Sequence, residues 1–183
     1  IHTTHFSSAH PDMVWILGYL GDSYRKLEDY KNAEYVLEKG LAIHNQYYSH
    51  NASEKNWFMF LLGKVYRELG KYQKARTFLE ASLVYHREHF GKEHLETAHV
   101  LRSLGQTYFL EGEIDKAEII FQEVLKNFQQ QNYIDQYMVL EDISDINLKK
   151  AEEEKRKKNI GLSQSFKDKA TRNLKEALQI VRA

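Results

Sequence analysis

Cysteine is absent from this sequence, and proline occurs only once in 183 residues, at Pro11. Without cysteine there is no disulfide framework, so nothing in the composition points to an oxidising compartment. A proline in a helix interior costs about 3 kcal/mol, and its scarcity therefore favours long, uninterrupted helices. The composition predicts a chain that is largely helical.

Net charge and long apolar runs are also missing. The sequence has 26 Lys+Arg and 26 Asp+Glu residues, and this balance argues against a nucleic-acid binder, which normally carries a net basic face. No apolar run approaches the ~18 residues needed to span a bilayer, and residues 1–5 lack the features of a signal peptide. We therefore predict no membrane span, no nucleic-acid partner and a cytoplasmic location. Because the first residue is not methionine, we expect a fragment of a longer protein.

A repeat of 42 residues organises most of the chain. Each of three segments has a Leu-Gly pair, a tyrosine three residues after the glycine and an alanine nine residues after the tyrosine. The recurring residues are Gly21, Gly63 and Gly105; Tyr24, Tyr66 and Tyr108; and Ala33, Ala75 and Ala117. Leu17, Leu20 and Tyr24 follow the i, i+3, i+7 spacing of one helix face. The pattern predicts two antiparallel helices per repeat.

The repeated glycine needs a structural reason, because glycine in a helix interior costs about 1 kcal/mol. We predict that the second helix of each repeat crosses the first one closely there, with the recurring alanine as the small residue opposite the glycine. The predicted turns lie at residues 27–29, 69–71 and 111–113, where Gly70 and Gly112 suit the end of a helix. A single hairpin cannot cover its own apolar face, so the repeats must stack.

These residues resemble the tetratricopeptide-repeat (TPR) family, and the linker at residues 86–98 is similar to that of kinesin light chains, as is the entry to the first repeat at residues 9–12. The resemblance implies an all-α fold, a right-handed α-solenoid of antiparallel helix hairpins (the TPR superhelix) with a concave groove lined by the first helices. It implies one TPR domain over residues 1–183. The repeats are expected at 9–50, 51–92 and 93–133, followed by a degenerate capping repeat with an insertion at 134–183.

The fourth repeat departs from the pattern. Asn147 replaces the glycine and Lys150 replaces the tyrosine, while Ala170 lies 53 residues after Ala117, which indicates an insertion of 11 residues. We expect residues 159–163 to break the helix and a last helix to begin near Ser165, with Asp168 completing a capping box. Its predicted apolar stripe consists of Phe166, Ala170, Leu174, Ala177 and Val181.

The resemblance also implies which first-helix positions face the groove. They hold Trp15, Asp22, Arg25, Trp57, Phe60, Lys64, Arg67, His99, Arg102, Gln106 and Phe109. Aromatic residues beside basic ones would suit a partner segment with apolar anchors and acidic flanks. The alternative is that Trp15 and Trp57, which share one repeat position, pack between hairpins as part of the core.

Sequence motifs that would indicate a metal site or a catalytic site are weak or missing. Nine histidines are present, but without cysteine and without a His-Glu-x-x-His pattern we predict no metal site, even where His86, His89, His94 and His99 lie close in sequence. Nucleophile elbows, phosphate loops and dinucleotide glycine clusters are missing, so we predict no catalytic residues, no cofactor and no enzyme. The acidic run 152–154 and basic run 155–158 are typical of a solvated helix; a patch for phospholipid or an acidic protein is the alternative.

The sequence therefore predicts a protein–protein interaction module that holds a peptide or helix of a partner in its concave groove. Two other functions stay open. The chain could be a structural scaffold that self-associates through the ends of the solenoid, or a peptide-sensing regulator of the TPR type.

Overall fold

The computed structural model describes residues 11–182, except for the side chain of Pro11; residues 9 and 10, the predicted start of the first repeat, lie outside this range. Within it the chain forms eight α-helices and no strand. The helices are α1 (Pro11–Lys26), α2 (Tyr30–Tyr47), α3 (Ala52–Glu68), α4 (Tyr72–His89), α5 (Leu95–Glu111), α6 (Ile114–Gln130), α7 (Gln136–Arg156) and α8 (Ile160–Arg182). The predicted all-α fold is confirmed.

Contacts divide the chain into two compact units, with the boundary between His89 and Phe90. Unit 1 contains the hairpins α1–α2 and α3–α4, and in it α2 also packs against α3. Unit 2 contains the hairpins α5–α6 and α7–α8, and in it α6 also packs against α7. Each predicted repeat thus corresponds to one hairpin, while a single domain over residues 1–183 stays a prediction.

The turns inside the first three hairpins are built alike. The first or second residue after the first helix has a positive φ, 60° at Glu28, 70° at Gly70 and 92° at Gly112. The next backbone N–H donates to the carbonyl of the repeat tyrosine: Asp29 to Tyr24 at 2.9 Å, Lys71 to Tyr66 at 2.8 Å and Glu113 to Tyr108 at 2.9 Å. This six-residue closure satisfies a carbonyl at the helix end and aims the chain back along the first helix.

The repeat glycines lie where the two helices of a hairpin cross, as predicted, but the residue opposite is not alanine. A Cβ on Gly63 would lie 2.6 Å from the side chain of Leu79, and one on Gly21 would lie 2.4 Å from Leu37. In the third repeat Gly105 faces Phe121. The glycine therefore makes room for a large side chain four residues after the alanine. The alanines themselves are fully buried in the same hairpin.

The last hairpin differs from the prediction at its turn. The chain leaves the helix only at residues 157–159, so α8 begins at Ile160 and not near Ser165, and Asp168 caps nothing. The cap is Asn159, whose side chain accepts the N–H of Leu162 at 3.4 Å. Buried Ser163 donates to the carbonyl of Ala151 at 2.9 Å and ties the two helices together.

Extra length in α7 and α8 absorbs the predicted insertion, since these helices have 21 and 23 residues against 16 to 18 in the others. Of the predicted stripe on α8, Ala170 and Ala177 are buried and Phe166 is partly buried, but Leu174 and Val181 are about half exposed. The small residues of α8 therefore face α7, while Leu174 and Val181 remain toward solvent.

Candidate functional site

Three aromatic rings from α1 and α3 form a contiguous surface on unit 1, here called the aromatic face: Trp15, Tyr19 and Trp57. The ring centroids are 5.6 Å apart for Trp15 and Trp57, 5.1 Å for Tyr19 and Trp57, and 6.4 Å for Trp15 and Tyr19. Trp15 and Tyr19 are 43% and 64% exposed. The aromatic face therefore offers a large apolar area to solvent, with an indole N–H and a phenol hydroxyl among its polar atoms.

Trp57 occupies space that a glycine leaves open. A Cβ on Gly18 would lie 2.2 Å from the Trp57 ring, so this ring lies directly on the backbone of α1. Trp57 is partly buried, contacts Phe58 at a centroid distance of 5.5 Å and packs against the core of unit 1. Trp57 thus packs between α1 and α3, as the core interpretation expects, while Trp15 lies on the outside. A role of either ring in partner binding stays a prediction.

Phe60, the third predicted aromatic residue, lies apart from these three rings. Its ring contacts His86 at a centroid distance of 6.4 Å, and the ammonium of Lys64 lies 5.2 Å from its centroid. The Lys64 charge is thus directed at the face of a neighbouring ring, an attraction between cation and π system. The aromatic face thus contains Tyr19, which the sequence analysis did not name, while Phe60 contacts His86 and Lys64.

The predicted arginines of unit 1 have carboxylate partners on their own helices. Arg25 lies 2.7 Å from Asp22, and Lys26 lies 2.9 Å from the other oxygen of the same carboxylate. Burial alone would raise the pKa of Asp22, but the hydrogen bonds and charges of Lys26 and Arg25 outweigh it and lower this pKa. Arg67 is 11% exposed and lies 2.6 Å from Glu68. These pairs reduce the positive charge that unit 1 presents to a partner.

In unit 2 two of the predicted polar residues, Arg102 and Gln106, donate hydrogen bonds to Asp142, a carboxylate that the sequence analysis did not name. Arg102 on α5 binds Asp142 on α7 through both oxygens, with Nε 2.5 Å from Oδ2 and NH2 3.2 Å from Oδ1. Arg102 also donates to the carbonyl of Met138 at 3.3 Å, and the side-chain amide of Gln106 donates to Asp142 Oδ1 at 3.0 Å. A two-oxygen arginine–carboxylate pair of this geometry fixes α5 against α7.

The remaining predicted residues of unit 2 are packed against neighbours. His99 contacts the rings of Phe128 and Tyr133 at 5.3 and 5.9 Å between centroids, and its Nε2 lies 3.8 Å from Asp135. Phe109 is partly buried. The predicted groove residues therefore divide into an exposed aromatic set in unit 1 and a closed polar set in unit 2.

Two residues of these sets were missed, and each left a signal. Tyr19 lies four residues after Trp15, which is the spacing of side chains that meet on one helix face. Asp142 lies 40 residues after Arg102, close to one repeat length, as expected for neighbours on adjacent first helices. Opposite charges one repeat apart are the signal that could have found it.

Three of the four histidines that lie close in sequence have structural contacts. His86 is buried and its Nδ1 lies 2.9 Å from the carbonyl of Ser82, while His94 caps α5 by accepting the N–H of Glu96 at 3.2 Å. His89 stacks on Tyr85 with centroids 3.9 Å apart. Across the described residues no group of three or more histidines and carboxylates is placed to hold a metal ion. The basic run is not one helix face, because α7 ends at Arg156 and Lys158 has a φ of 62°.

Comparison with known families decides the nature of the repeats: residues 54–130 match the family model described as tetratricopeptide repeat. This middle part of the chain is thus similar to tetratricopeptide repeats. The predicted resemblance is thereby confirmed, and the matched range contains nearly all of α3 to α6. No curated protein matches the chain.

Solved structures of TPR-like proteins share the fold. BtubC (BKLC) from P. vanneervenii matches with a TM-score of 0.69 and 17% identity, over 93% of this chain and 66% of BtubC. Kinesin-light-chain-type TPR-like repeats from Podosopora anserina match with 0.65 and 16%, over 92% and 81% of the two chains. A Rap protein complexed with Competence and Sporulation Factor matches with 0.65 and 15%, over 90% and 44%.

At these identities the likeness concerns the fold alone, and it confirms an all-α helical-repeat solenoid whose structural neighbours include kinesin-light-chain-type repeats. The chain spans just under two thirds of BtubC and less than half of the Rap protein. In the part of the chain that the structure describes, every helix is too short or too polar to cross a membrane.

Proposed function

We propose that this TPR chain is a non-catalytic binding module that holds a segment of another protein against the aromatic face of unit 1. One observation carries the proposal: Tyr19 and Trp15 are 64% and 43% exposed although they touch a buried scaffold through Trp57. Rigid, clustered Trp and Tyr side chains are the residue types that dominate binding energy at protein interfaces.

The charges around the aromatic face indicate what kind of segment would bind. Because Arg25 and Arg67 already pair with Asp22 and Glu68, we expect apolar anchors to contribute most of the affinity and acidic flanks to contribute less. The proposed partner is thus a peptide or helix with large apolar side chains.

One of the structural relatives supports a protein partner. The Rap protein was solved in complex with Competence and Sporulation Factor, so a chain of this fold holds another molecule there. We infer only the class of function from it, since the identity is 15%. A peptide-sensing role and a cytoplasmic location also remain proposals.

Two tyrosines of unit 1 provide a matched pair of variants for the test. Tyr19 is 64% exposed on the aromatic face, and Tyr35 is 65% exposed on α2. We expect Tyr19→Ala to lose partner proteins that wild type and Tyr35→Ala both retain in a pull-down quantified by mass spectrometry. A peptide from a retained protein should then bind Tyr19→Ala about tenfold more weakly by calorimetry. Equal retention by both variants would refute the proposal.

A further inference from the structure

The hairpin of α7 and α8 is one helical turn longer than the first three hairpins. In those, the carbonyl that closes the turn belongs to the repeat tyrosine, and Lys150 holds that repeat position in α7. In the last hairpin the closing carbonyl belongs to Glu154, which accepts the N–H of Asn159 at 2.9 Å, and Lys158 has a φ of 62°. Four additional residues lengthen α7 by about 6 Å.

Contacts with α6 show that this extra turn extends past the neighbouring hairpin. Lys150 Nζ lies 2.6 Å from Glu118 Oε2 and 3.5 Å from Asp115 Oδ1, and Asp115 is in the first turn of α6. At Lys150 α7 is therefore level with the start of α6. Beyond it, Glu153 still lines a cavity with residues 112–116 of the α5–α6 turn. Residues 155–162 lie farther out and are here called the tip.

The tip has four cations and no carboxylate: Lys155, Arg156, Lys157 and Lys158. Lys157 lies 2.9 Å from Glu154, which directly precedes the tip. Within residues 11–182 the other three form no ion pair, and all three are exposed. Because the formal net charge of the whole chain is zero, the tip is a local excess of positive charge.

Two large apolar side chains follow the cations. Ile160 and Leu162 are 66% and 48% exposed. Ile160 is the first residue of α8, whereas the first residues of the other second helices are partly buried: Tyr30, Tyr72 and Ile114. Residues two apart lie about 200° around a helix axis. Ile160 and Leu162 are thus exposed on different sides of the first turn of α8.

This exposure follows from the length of the hairpin itself. A further hairpin as long as α5–α6, packed on α8 as α7 packs on α6, would end about 6 Å short of the tip. Leu162 also lies about 120–160° around α8 from the exposed residues Leu174 and Leu178. The tip is therefore a surface distinct from the long exposed face of α8.

We propose that the tip docks on the surface of an anionic lipid bilayer. The cations would contact the lipid headgroups, and Ile160 and Leu162 would enter the interfacial region. Exposed apolar side chains beside unpaired cations are the combination that holds peripheral proteins on anionic membranes. This surface lies in unit 2 and stands independently of the proposed function of the aromatic face.

The shape of the tip favours a bilayer over an acidic protein segment. Ile160 and Leu162 point to different sides of the turn, so one helix or strand laid on the tip would cover only one of them. A fluid interface surrounds both when the turn enters it end on. Three unpaired cations and two apolar side chains are no stronger than a single lipid anchor, so we expect half-maximal binding at about 0.1–1 mM accessible lipid.

The test is flotation of the purified chain with vesicles of phosphatidylcholine that contain about 30 mol% phosphatidylserine, and with vesicles of phosphatidylcholine alone. Wild type should bind the anionic vesicles at least about fivefold more tightly. Raising the salt concentration from about 0.1 to about 0.5 M should weaken this binding, since the Debye length falls.

Neutralising the cations tests the charge of the tip. A chain with Lys155→Gln, Arg156→Gln and Lys158→Gln should bind anionic vesicles at least about tenfold more weakly. The matched control changes the net charge equally at three exposed lysines of α2 and α6: Lys31→Gln, Lys39→Gln and Lys126→Gln. It should bind as wild type does. Equal losses for the two triple variants would overturn the proposal.

Two leucines of α8 with the same exposure test the apolar contact. Leu162 and Leu178 are both 48% exposed. Leu162→Ser should weaken vesicle binding about three- to fivefold, and Leu178→Ser should leave it unchanged. If Leu162→Ser lowers the melting temperature measured by circular dichroism, Ile160→Ser replaces it.

A fluorescent label locates the inserted residue. Since the sequence has no cysteine, Ile160→Cys provides a single site for a polarity-sensitive dye, and Ile119→Cys on α6 is the control because Ile119 is 69% exposed. The emission at residue 160 should shift to the blue with anionic vesicles, and that at residue 119 should not.

Three results would overturn the proposal. These are equal binding of wild type to both kinds of vesicle, a tip variant that binds as wild type does, and an unchanged emission at residue 160 in the vesicle-bound chain. A chain that ignores vesicles but binds a polyglutamate peptide through the tip cations would assign the tip to an acidic protein instead.

Discussion

The two units connect neighbouring first helices at the same repeat position by opposite chemistry. Three residues before the repeat glycine, unit 1 has Gly18 and unit 2 has Arg102. At Gly18 the missing side chain admits the ring of Trp57, and the α1–α3 contact is aromatic. At Arg102 a long side chain reaches Asp142, and the α5–α7 contact is an ion pair with Gln106 as a further donor.

This difference teaches that the buried positions of the repeat define the fold, while the remaining first-helix positions are free to differ. The glycine, tyrosine and alanine positions are filled alike in the two hairpins of unit 1 and in the first hairpin of unit 2, and so are their turns. Between them, unit 1 exposes aromatic rings whereas unit 2 satisfies its polar groups internally. The proposed binding surface therefore lies in unit 1, and we expect the polar set of unit 2 to contribute to stability.

The largest expected effect comes from removing the aromatic wedge of unit 1. Trp57→Ala should lower the free energy of unfolding by about 3 kcal/mol, because a large ring is lost and a cavity opens beside Gly18. Trp15→Ala should cost less than about 1 kcal/mol, since Trp15 is 43% exposed. Urea denaturation followed by circular dichroism measures both. Equal losses of unfolding free energy for the two variants would contradict a packing role of Trp57 between α1 and α3.

Breaking the ion pair of unit 2 should have the next largest effect. Asp142→Ala leaves Arg102, whose side chain is 19% exposed, without its carboxylate. We expect a loss of about 2 kcal/mol, below the full penalty for a completely buried charge. The control is Asp145→Ala, one turn further on an exposed face of α7. Burial and the charge of Asp142 raise the pKa of Asp145, so its removal should cost nothing or stabilise slightly.

Much of the fold could be predicted from the sequence because its determinants recur. The spacing of 42 identified three hairpins, their turns and the helix crossing at Gly21, Gly63 and Gly105, since a mid-helix glycine requires a close neighbour. The residue opposite was predicted wrongly as alanine. Proximity of two small residues was assumed, whereas the packing inserts Leu37, Leu79 or Phe121 into the space that glycine leaves.

The candidate site was predicted less well, because periodicity says which residues face outward and not which of them touch. The spacing of about one repeat makes Arg102 and Asp142 neighbours on adjacent first helices, but it does not show that they form a two-oxygen ion pair. The start of α8 was predicted wrongly for a local reason. Asn159 and Gly161 indicated a helix break, but an asparagine at the N-cap and a glycine in the first turn are both compatible with the beginning of a helix.

A smaller effect concerns the turn between α1 and α2, where Glu28 has a positive φ like that of Gly112 in the turn between α5 and α6. A φ of 60° costs a residue with a Cβ about 1–2 kcal/mol, and part of this is offset by the greater freedom of glycine in the unfolded chain. Glu28→Gly should therefore stabilise the chain by about 0.5–1 kcal/mol, and Gly112→Ala should destabilise it by about 1 kcal/mol. Thermal melts of the two variants should move in opposite directions; a shared direction would show that the two turns are not equivalent.

The smallest expected effect is the pH dependence of the Asp22 pair. Because the folded pKa of Asp22 is lowered below its usual 3.8, the ionised carboxylate stabilises the folded state above that pH. This stabilisation is lost as the pH falls through the lowered folded pKa. Asp22→Asn should thus cost under about 1 kcal/mol at pH 7, and its difference from wild type should shrink toward zero near pH 2. Urea denaturation at both pH values measures the difference; a constant gap would mean that Asp22 acts through packing and hydrogen bonds alone.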